Sequence, residues 1–461
     1  MEGTKFNFVD GWRVRSDARP DDFDSKAPYI DNGTGPIDAE RYRSPEYMAL
    51  EWEKVWKKTW NIACPVTDLR ETGDYVVHDI GKESFIVVRG GDDRIRAFYN
   101  VCPHRGTKLI NNDMGSLPNG FTCPFHSWSF ALDGELTKIT DRETFRPEVV
   151  CHNPGLTEVR CEVAVGFVFI SMNPDVQDLT TALGVFGEHV AMYEPETMIV
   201  IRHSRADWGS NWKTSIDAFL EPYHFHALHP QALAATEDYF IQQDLYGEGV
   251  SRLYIPLYRP SPRLPDDCEL NPVLQAMMHD AALDPGAFKG TAADLRPAAQ
   301  KSKRARAEML GLDYSMFLDS QLTDSVTYSL FPNIVISCHP EAIVLMRFLP
   351  HPTDPERHYY DNITMYRPVQ ASDGTYVIPA WMDVKQGTDL SGETRPEINH
   401  IPFGGTANLG LIWEQDAQIL PLVQSGLRSE SFKGMLLGEQ EVRVRHFHAE
   451  LDRYIIGNKG G

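Results

Sequence analysis

Cys102-Pro-His104-Arg-Gly106 and Cys123-Pro-Phe-His126-Ser-Trp128 decide how this chain is read. Each cysteine is followed within three positions by a histidine, and 18 residues separate His104 from Cys123. Two thiolates and two imidazoles on paired loops suit a tetrahedral zinc ion, or a [2Fe-2S] cluster with sulfur ligands on one iron and nitrogen ligands on the other. Zinc fingers with this donor set gather their histidines on one helix. Here each cysteine has its own histidine, and that interleaving favours the cluster. Replacing two thiolates by neutral imidazoles removes negative charge and raises the potential, so such a centre accepts electrons from an ordinary ferredoxin. Cys64, Cys151 and Cys161 lack such partners and read as small buried residues.

The surroundings of these loops are β-rich. Tyr75 to Ile80, Ser84 to Arg89 and Ile95 to Tyr99 predict strands, with Gly90-Gly91-Asp92-Asp93 turning between the last two. Asp133-Gly134 predicts another tight turn, and Val165 to Ser171 a closing strand before Asn173-Pro174. Upstream, Ser44-Pro45-Glu46 starts a helix from about Pro45 to Trp60, with Met48, Leu50, Trp52, Val55 and Trp56 as its packed face. Downstream, Asn211 to His229 reads as helical, 326–328, 333–337, 343–348 and 359–366 as strands, and Gln415 onward as long helices. Residues 260–325 read as helices and loops laid over that sheet, and the basic run Lys301 to Arg306 as a solvated helix face. Aromatic and apolar residues around 250–330 point to a hydrophobic substrate. The fold class expected is α+β.

A chain of 461 residues exceeds one hydrophobic core. The reading divides it into an N-terminal segment and helix (1–58), a small all-β domain (59–172) and a larger domain (173–461). The formal charge of -21 disfavours nucleic acid or an anionic membrane as partner. The N-terminus shows no basic run followed by an apolar stretch, and no segment is apolar for long enough to cross a bilayer, so a cytoplasmic location is expected. Seven scattered cysteines, an odd number, argue against a disulfide framework.

A second constellation is Asn211-Trp-Lys-Thr-Ser-Ile-Asp217-Ala-Phe-Leu-Glu221-Pro-Tyr-His224-Phe-His-Ala-Leu-His229-Pro. Five helical residues turn the chain by about 500°, so His224 and His229 meet one ion only if the helix distorts or ends between them. Pro222 and Pro230 favour such distortion. Two imidazoles and one carboxylate with open positions form the facial triad of iron(II) enzymes that activate dioxygen. A carboxylate is therefore required. His226, His339, His400, His446 and His448 read as satisfied histidines rather than ligands.

The first motif, with Asp133-Gly134 after it, resembles the Rieske signature of aromatic-ring-hydroxylating oxygenase α subunits. The resemblance implies that Cys102, His104, Cys123 and His126 bind the cluster, with Arg105, Gly106 and Trp128 in its covering loops. It implies a helix-grip catalytic domain with an antiparallel sheet, completed by the N-terminal helix. Trp413-Glu414-Gln415-Asp416 is similar to the start of the family's third-ligand helix, so iron is assigned to His224, His229 and Asp416. Phe331 to Ser337 and Val442 to Tyr454 also resemble the family.

Most members carry an Asp three residues before the first iron-binding histidine, where it bridges to a cluster histidine of the neighbouring subunit. Here that residue is Glu221, as in members acting on quaternary amines such as carnitine. Glu221 is thus the bridging acid, holding His224 and His126, and Asp217 a supporting acid one turn earlier. The resemblance further implies a homotrimer with or without a small β subunit, electrons from a ferredoxin or flavin reductase, and O2 as co-substrate. A small organic substrate would undergo dioxygenation, monooxygenation or demethylation. The competing class of reading is a zinc- or cluster-containing electron carrier or binding module without oxygenase activity.

Overall fold

The computed structural model describes residues 26–152, 155–264, 270–379, 382, 384–406 and 409–457, and Cys268 lies outside them. The six described cysteines are free. Among the described residues, no helix is long and apolar enough to cross a membrane.

Strands β1 (Asn61–Pro65), β2 (Asp74–Ile80), β3 (Glu83–Arg89), β4 (Ile95–Tyr99), β5 (Met114–Ser116), β6 (Phe121–Thr122), β7 (Ser129–Phe130), β8 (Leu136–Lys138), β9 (Glu158–Ala164) and β10 (Phe167–Ser171) build the first part. A seven-stranded sheet runs β1-β10-β9-β4-β3-β2-β5, and β6-β7-β8 form a small sheet beside it. Then follow β11 (Ile199–Trp208), β12 (Gln242–Leu245), β13 (Ser251–Ile255), β14 (Ser325–Leu330), β15 (Ile334–His339), β16 (Ala342–Pro350), β17 (His358–Tyr366) and β18 (Asn399–Ile401). They make an eight-stranded sheet, β12-β13-β14-β15-β16-β17-β11-β18, antiparallel except for the β11–β18 pair. The main helices are α1 (Pro45–Glu51), α2 (Trp212–Phe219), α3 (Phe225–Leu228), α4 (Ala292–Ala307), α5 (Leu411–Gly426) and α6 (Val442–Ile456).

β11 escaped the sequence reading because Arg202, His203, Arg205 and Asp207 interrupt its apolar alternation, and β12 and β13 likewise carry polar residues that hid them. The helix from Pro45 is capped by Ser44 Oγ, which accepts the Tyr47 N–H at 3.1 Å. It widens into one π turn over Trp52–Trp56 and ends there, short of Trp60. The wider turn shifts the phase of the side chains, so Val55 and Trp56 are buried while Leu50, assigned to the packed face, is exposed. The apolar residues of 250–330 have an ordinary role: Tyr258, Leu274, Met278, Leu295 and Ala299 form a core of their own. Within the basic run, Lys303 pairs with Glu341 and Arg304 with Asp319.

Side chains along a strand alternate between faces, and β17 uses both. Tyr360 faces α2, its ring 5.5 Å from that of Phe219. The next residue, Asp361, faces the seven-stranded sheet and is fully buried. Arg205 binds it through Nε at 2.7 Å and Nη2 at 2.9 Å, and Arg347 through Nε at 3.0 Å. Arg347 also donates to the carbonyls of Ile62, at 3.0 Å, and Ala63 in β1. Burial pushes the Asp361 carboxyl up, and the two guanidiniums outweigh it and hold the group well below the usual carboxylate range. On the same face, Ile343, Leu345, Ile363 and Met365 pack with Ile62, Phe167 and Phe169. Asp361→Ala strands the buried Arg347 and the half-buried Arg205 and is expected to cost about 3–5 kcal/mol, read as a lowered urea midpoint.

Candidate metal centres

The two cysteine loops have the same backbone. The Cys102 N–H donates to the Thr107 carbonyl at 2.8 Å and the Gly106 N–H to the Cys102 carbonyl at 3.0 Å. The Cys123 N–H donates to the Trp128 carbonyl at 2.8 Å and the Ser127 N–H to the Cys123 carbonyl at 3.0 Å. Each loop turns through a left-handed residue four positions after its cysteine, Gly106 at φ 77° and Ser127 at φ 57°. Both cysteines are buried. Burial pushes the Cys102 thiol up; at Cys123 the N–H groups of Phe125 and His126 outweigh burial and hold the thiol below its ordinary value. The His104 and His126 rings lie 4.6 Å apart, and Trp128 stacks on His104 at 4.7 Å.

In both histidines Nδ1 is buried without a hydrogen-bond partner. Such an atom is costly unless something binds it, and a metal is the natural occupant. A single zinc ion would draw donor atoms to within about 4 Å of one another. Among the described residues, the only set of three candidate donors lying within 4.8 Å of one another is His224, His229 and Asp416. The four loop residues instead approach as a cysteine pair and a histidine pair, the division a two-iron cluster needs.

The second site forms where a helix fails. α2 ends at Phe219, Leu220 caps it, and the chain re-enters helix only at Phe225. His224 stands at the start of the short α3, and His229 leaves the helical conformation at its end, with φ -119° and ψ 51°, so two imidazoles five positions apart meet at one point. His229 Nε2 lies 3.1 Å and His224 Nε2 3.8 Å from Asp416 Oδ1. His229 and Asp416 are buried and His224 is half-buried. Gln424 couples the two helices: its Oε1 accepts the Asn211 N–H at 2.8 Å and the Thr214 hydroxyl at 3.0 Å.

The remaining ring nitrogens are held differently. Glu221 Oε1 lies 2.8 Å from His224 Nδ1, and a carboxylate only accepts, so Nδ1 carries the proton and Nε2 presents a lone pair towards Asp416. Burial pulls the His224 imidazole down, and Glu221 outweighs it and raises the group above its ordinary value. His229 Nδ1 meets Gln415 Oε1 at 2.8 Å, and Gln231 Nε2 donates to that same oxygen at 2.7 Å. Gln415 and Gln231 were not picked out from the sequence; the position of Gln415 beside Asp416 was the available signal. Tyr223 and His226 are exposed, and His226 is not among the converging ligand atoms.

Asp217 touches neither candidate ligand histidine through a hydrogen bond. Its carboxylate accepts from Tyr42 Oη at 2.7 Å and lies 3.1 Å from His448 Nε2. Arg41 only donates, at 3.2 Å to His448 Nδ1, so His448 carries its proton on Nε2, which faces Tyr42 Oη at 2.8 Å as well as Asp217. Asp217 thus fastens the N-terminal segment over α2, together with the buried Lys213–Glu51 pair at 2.6 Å. It also lines a cavity of about 510 Å³ with Glu221, His224, Asp416 and Glu441. Removing the partner of a ligating histidine costs about 10–100-fold in metal affinity. Gln415→Leu is expected to weaken iron binding by that factor in a chelator competition while leaving the visible absorbance of the cluster unchanged.

Residues 195–457, more than half of the chain, match the ring hydroxylating alpha subunit (catalytic domain) family, and residues 59–153 match the Rieske [2Fe-2S] domain. The chain is 36% identical over 196 residues to the carnitine monooxygenase oxygenase subunit of Escherichia coli, covering 42% of this chain and 52% of that protein. It is 31% identical over 229 residues to the anthranilate 1,2-dioxygenase large subunit of Acinetobacter baylyi, covering 48% and 46%. The chain thus spans about half the length of the curated relatives it matches. The crystal structure of a quaternary ammonium Rieske monooxygenase with L-carnitine shares the fold at TM-score 0.62 and 18% identity, covering 92% of this chain and 97% of the other. From these matches and the two sites above, the chain belongs to the ring-hydroxylating alpha subunit family, with a Rieske [2Fe-2S] domain preceding its catalytic domain.

Proposed function

We propose that this chain is the terminal oxygenase component of a Rieske non-haem iron system, oxidising a small organic substrate with O2 and electrons from a ferredoxin or flavin reductase. The observation that carries the reading is the convergence of His224, His229 and Asp416 within 4.8 Å, which an electron carrier or binding module would not need. Cys102 and Cys123 would hold one iron of the cluster, His104 and His126 the other through their unpartnered Nδ1 atoms. When bound, the cluster supplies single electrons and the ferrous ion an open coordination site for dioxygen.

The protein's own groups do the rest. Glu221 fixes the tautomer of His224, and in a ring of three chains, with or without a small β subunit, it would also receive an N–H from His126 of an adjoining copy. Such a carboxylate couples two imidazoles by hydrogen bonds alone. The free cysteines suit a cytoplasmic setting.

For the substrate, the general reading is a small hydrophobic or aromatic molecule. A quaternary amine is favoured by Glu221 and by the likeness to carnitine monooxygenase and glycine betaine monooxygenase oxygenase subunits.

The test is the reconstituted protein, which should hold about three irons per chain, two in the cluster and one mononuclear. Glu221→Ala should keep all three and abolish cluster oxidation during a single turnover with O2. Unimpaired oxidation in that variant would refute the bridge, and a colourless zinc protein would refute the oxygenase.

A further inference from the structure

α6 begins at the cavity of the iron site, where Glu441 and Val444 stand in the wall. Arg443 lies between them in sequence, is fully buried and is not among the lining residues. Its Nε donates to Ser251 Oγ in β13 at 2.8 Å, and its Nη1 to the Leu220 carbonyl at 3.1 Å. Nη2 is buried without a partner. The anion that acts on it, Asp244, is already bound by Arg252 through Nε at 3.0 Å and Nη2 at 2.9 Å. Arg443 thus keeps a charge out of water for a hydroxyl and one backbone carbonyl, an arrangement unfavourable for stability alone.

That carbonyl has a particular place. Leu220 caps α2, is fully buried, and is followed by Glu221. In a continuing α-helix the Leu220 carbonyl would accept the N–H of the residue four positions on, which is His224. The His224 N–H goes instead to Glu221 Oε2 at 3.2 Å, while Glu221 Oε1 lies 2.8 Å from His224 Nδ1. Arg443 Nη1 takes the position at Leu220 that the His224 N–H leaves. Without that donor the buried carbonyl would go unpaired, or would recapture the His224 N–H and take it from Glu221.

We infer that Arg443 is a positioning residue for the iron site: by occupying the Leu220 carbonyl it releases the His224 N–H to Glu221, and so holds the carboxylate that orients the His224 ring. The inference rests on the oxygenase reading and adds to its iron site a residue that touches neither the metal nor a ligand side chain. A guanidinium suits the task because its planar fork reaches two acceptors at once, here Ser251 on the sheet and Leu220 at the end of α2.

The experiment is a thermodynamic cycle on Fe(II) affinity, measured by chelator competition with the full chain under argon. Arg443→Met removes the donor and leaves little stranded, since Ser251 Oγ keeps Ser329 Oγ at 2.6 Å and Asp244 keeps Arg252. It is expected to weaken Fe(II) binding about tenfold or more, with the visible absorbance of the cluster unchanged. Glu221→Ala, which still fills at excess Fe(II), should weaken binding by a similar factor, and adding Arg443→Met to it should cost no more than about a further twofold. Combined with Gln415→Leu, which affects the other histidine, Arg443→Met should keep its full effect. Arg443→Lys, able to reach one of the two acceptors, should recover part of the loss. Wild-type affinity in Arg443→Met, an equal loss with and without Glu221, or a loss that Gln415→Leu cancels as well overturns the inference. If Arg443→Met does not fold, Arg443→Lys is taken round the same cycle: a loss of about threefold or more that vanishes in Glu221→Ala supports the role, and no loss, or one that persists, overturns it. Chelator competition needs neither electrons nor O2. A chain that follows the cycle yet forms no oxidised product sinks the oxygenase reading alone, and a wild-type chain that takes up no mononuclear iron sinks both.

Discussion

Asp361 is the carboxylate on which the arrangement of the two sheets depends. It lies at the centre of β17 with no exposure to water, and two arginines from flanking strands, Arg205 and Arg347, complete its hydrogen bonding. Removing a carboxylate from water costs several kcal/mol, offset only when the partners are charged and well aligned. Arg347 is shared: its remaining donor goes to β1 carbonyls of the seven-stranded sheet. The ion cluster therefore fixes which residue of one sheet lies over which residue of the other, a registration that the apolar contacts of Ile343, Ile363 and Phe169 would leave free to slide.

Because strand side chains alternate, anchoring Asp361 on one face commits Tyr360 and Asn362 to the other. That second face carries α2 and α5 and hence the three candidate iron ligands. α2 is held from three directions: by the N-terminal segment through Tyr42 and Glu51, by α5 through Gln424, and by the sheet through Phe219. None of these contacts involves a metal. The chain's own packing therefore positions the three side chains.

Much of this was legible in the sequence, and what was not has identifiable causes. The Cys-x-His and Cys-x-x-His loops were legible because their spacing is local and the donor types are rare together. The end of helix at His229 was legible because Pro230 follows it, whereas the break at Glu221 to Tyr223 divides a stretch, Asn211 to His229, that the sequence reading took as helical. β11 was not, since its charged residues face partners, Asp361 and Arg395 among them, that come from distant parts of the chain. Gln415 was overlooked because glutamine on a helix is ordinary until a histidine ring from 186 residues away lies against it. The role of Asp217 as a fastener of the N-terminal segment depends on Tyr42 and His448, at opposite ends of the sequence. The apolar residues near 258–299 were read towards substrate and serve as core, a distinction that composition does not carry.

The two candidate ligand histidines have unequal supports. His224 is backed by an anion, Glu221, and His229 by the neutral amide of Gln415. Glu221 Oε1 takes the His224 ring N–H at 2.8 Å while Oε2 takes the His224 backbone N–H at 3.2 Å, so both oxygens serve one residue. A carboxylate oxygen has two lone-pair sites, so each keeps one acceptor position after these bonds. An aspartate, one methylene shorter, would satisfy the same two N–H groups only by drawing the carboxylate back towards its own backbone. The glutamate keeps its oxygens at the wall of the cavity shared with Asp217 and Glu441, where a donor from outside the chain can reach them. The longer side chain thus fixes the tautomer of His224 and still keeps an acceptor position at the cavity wall.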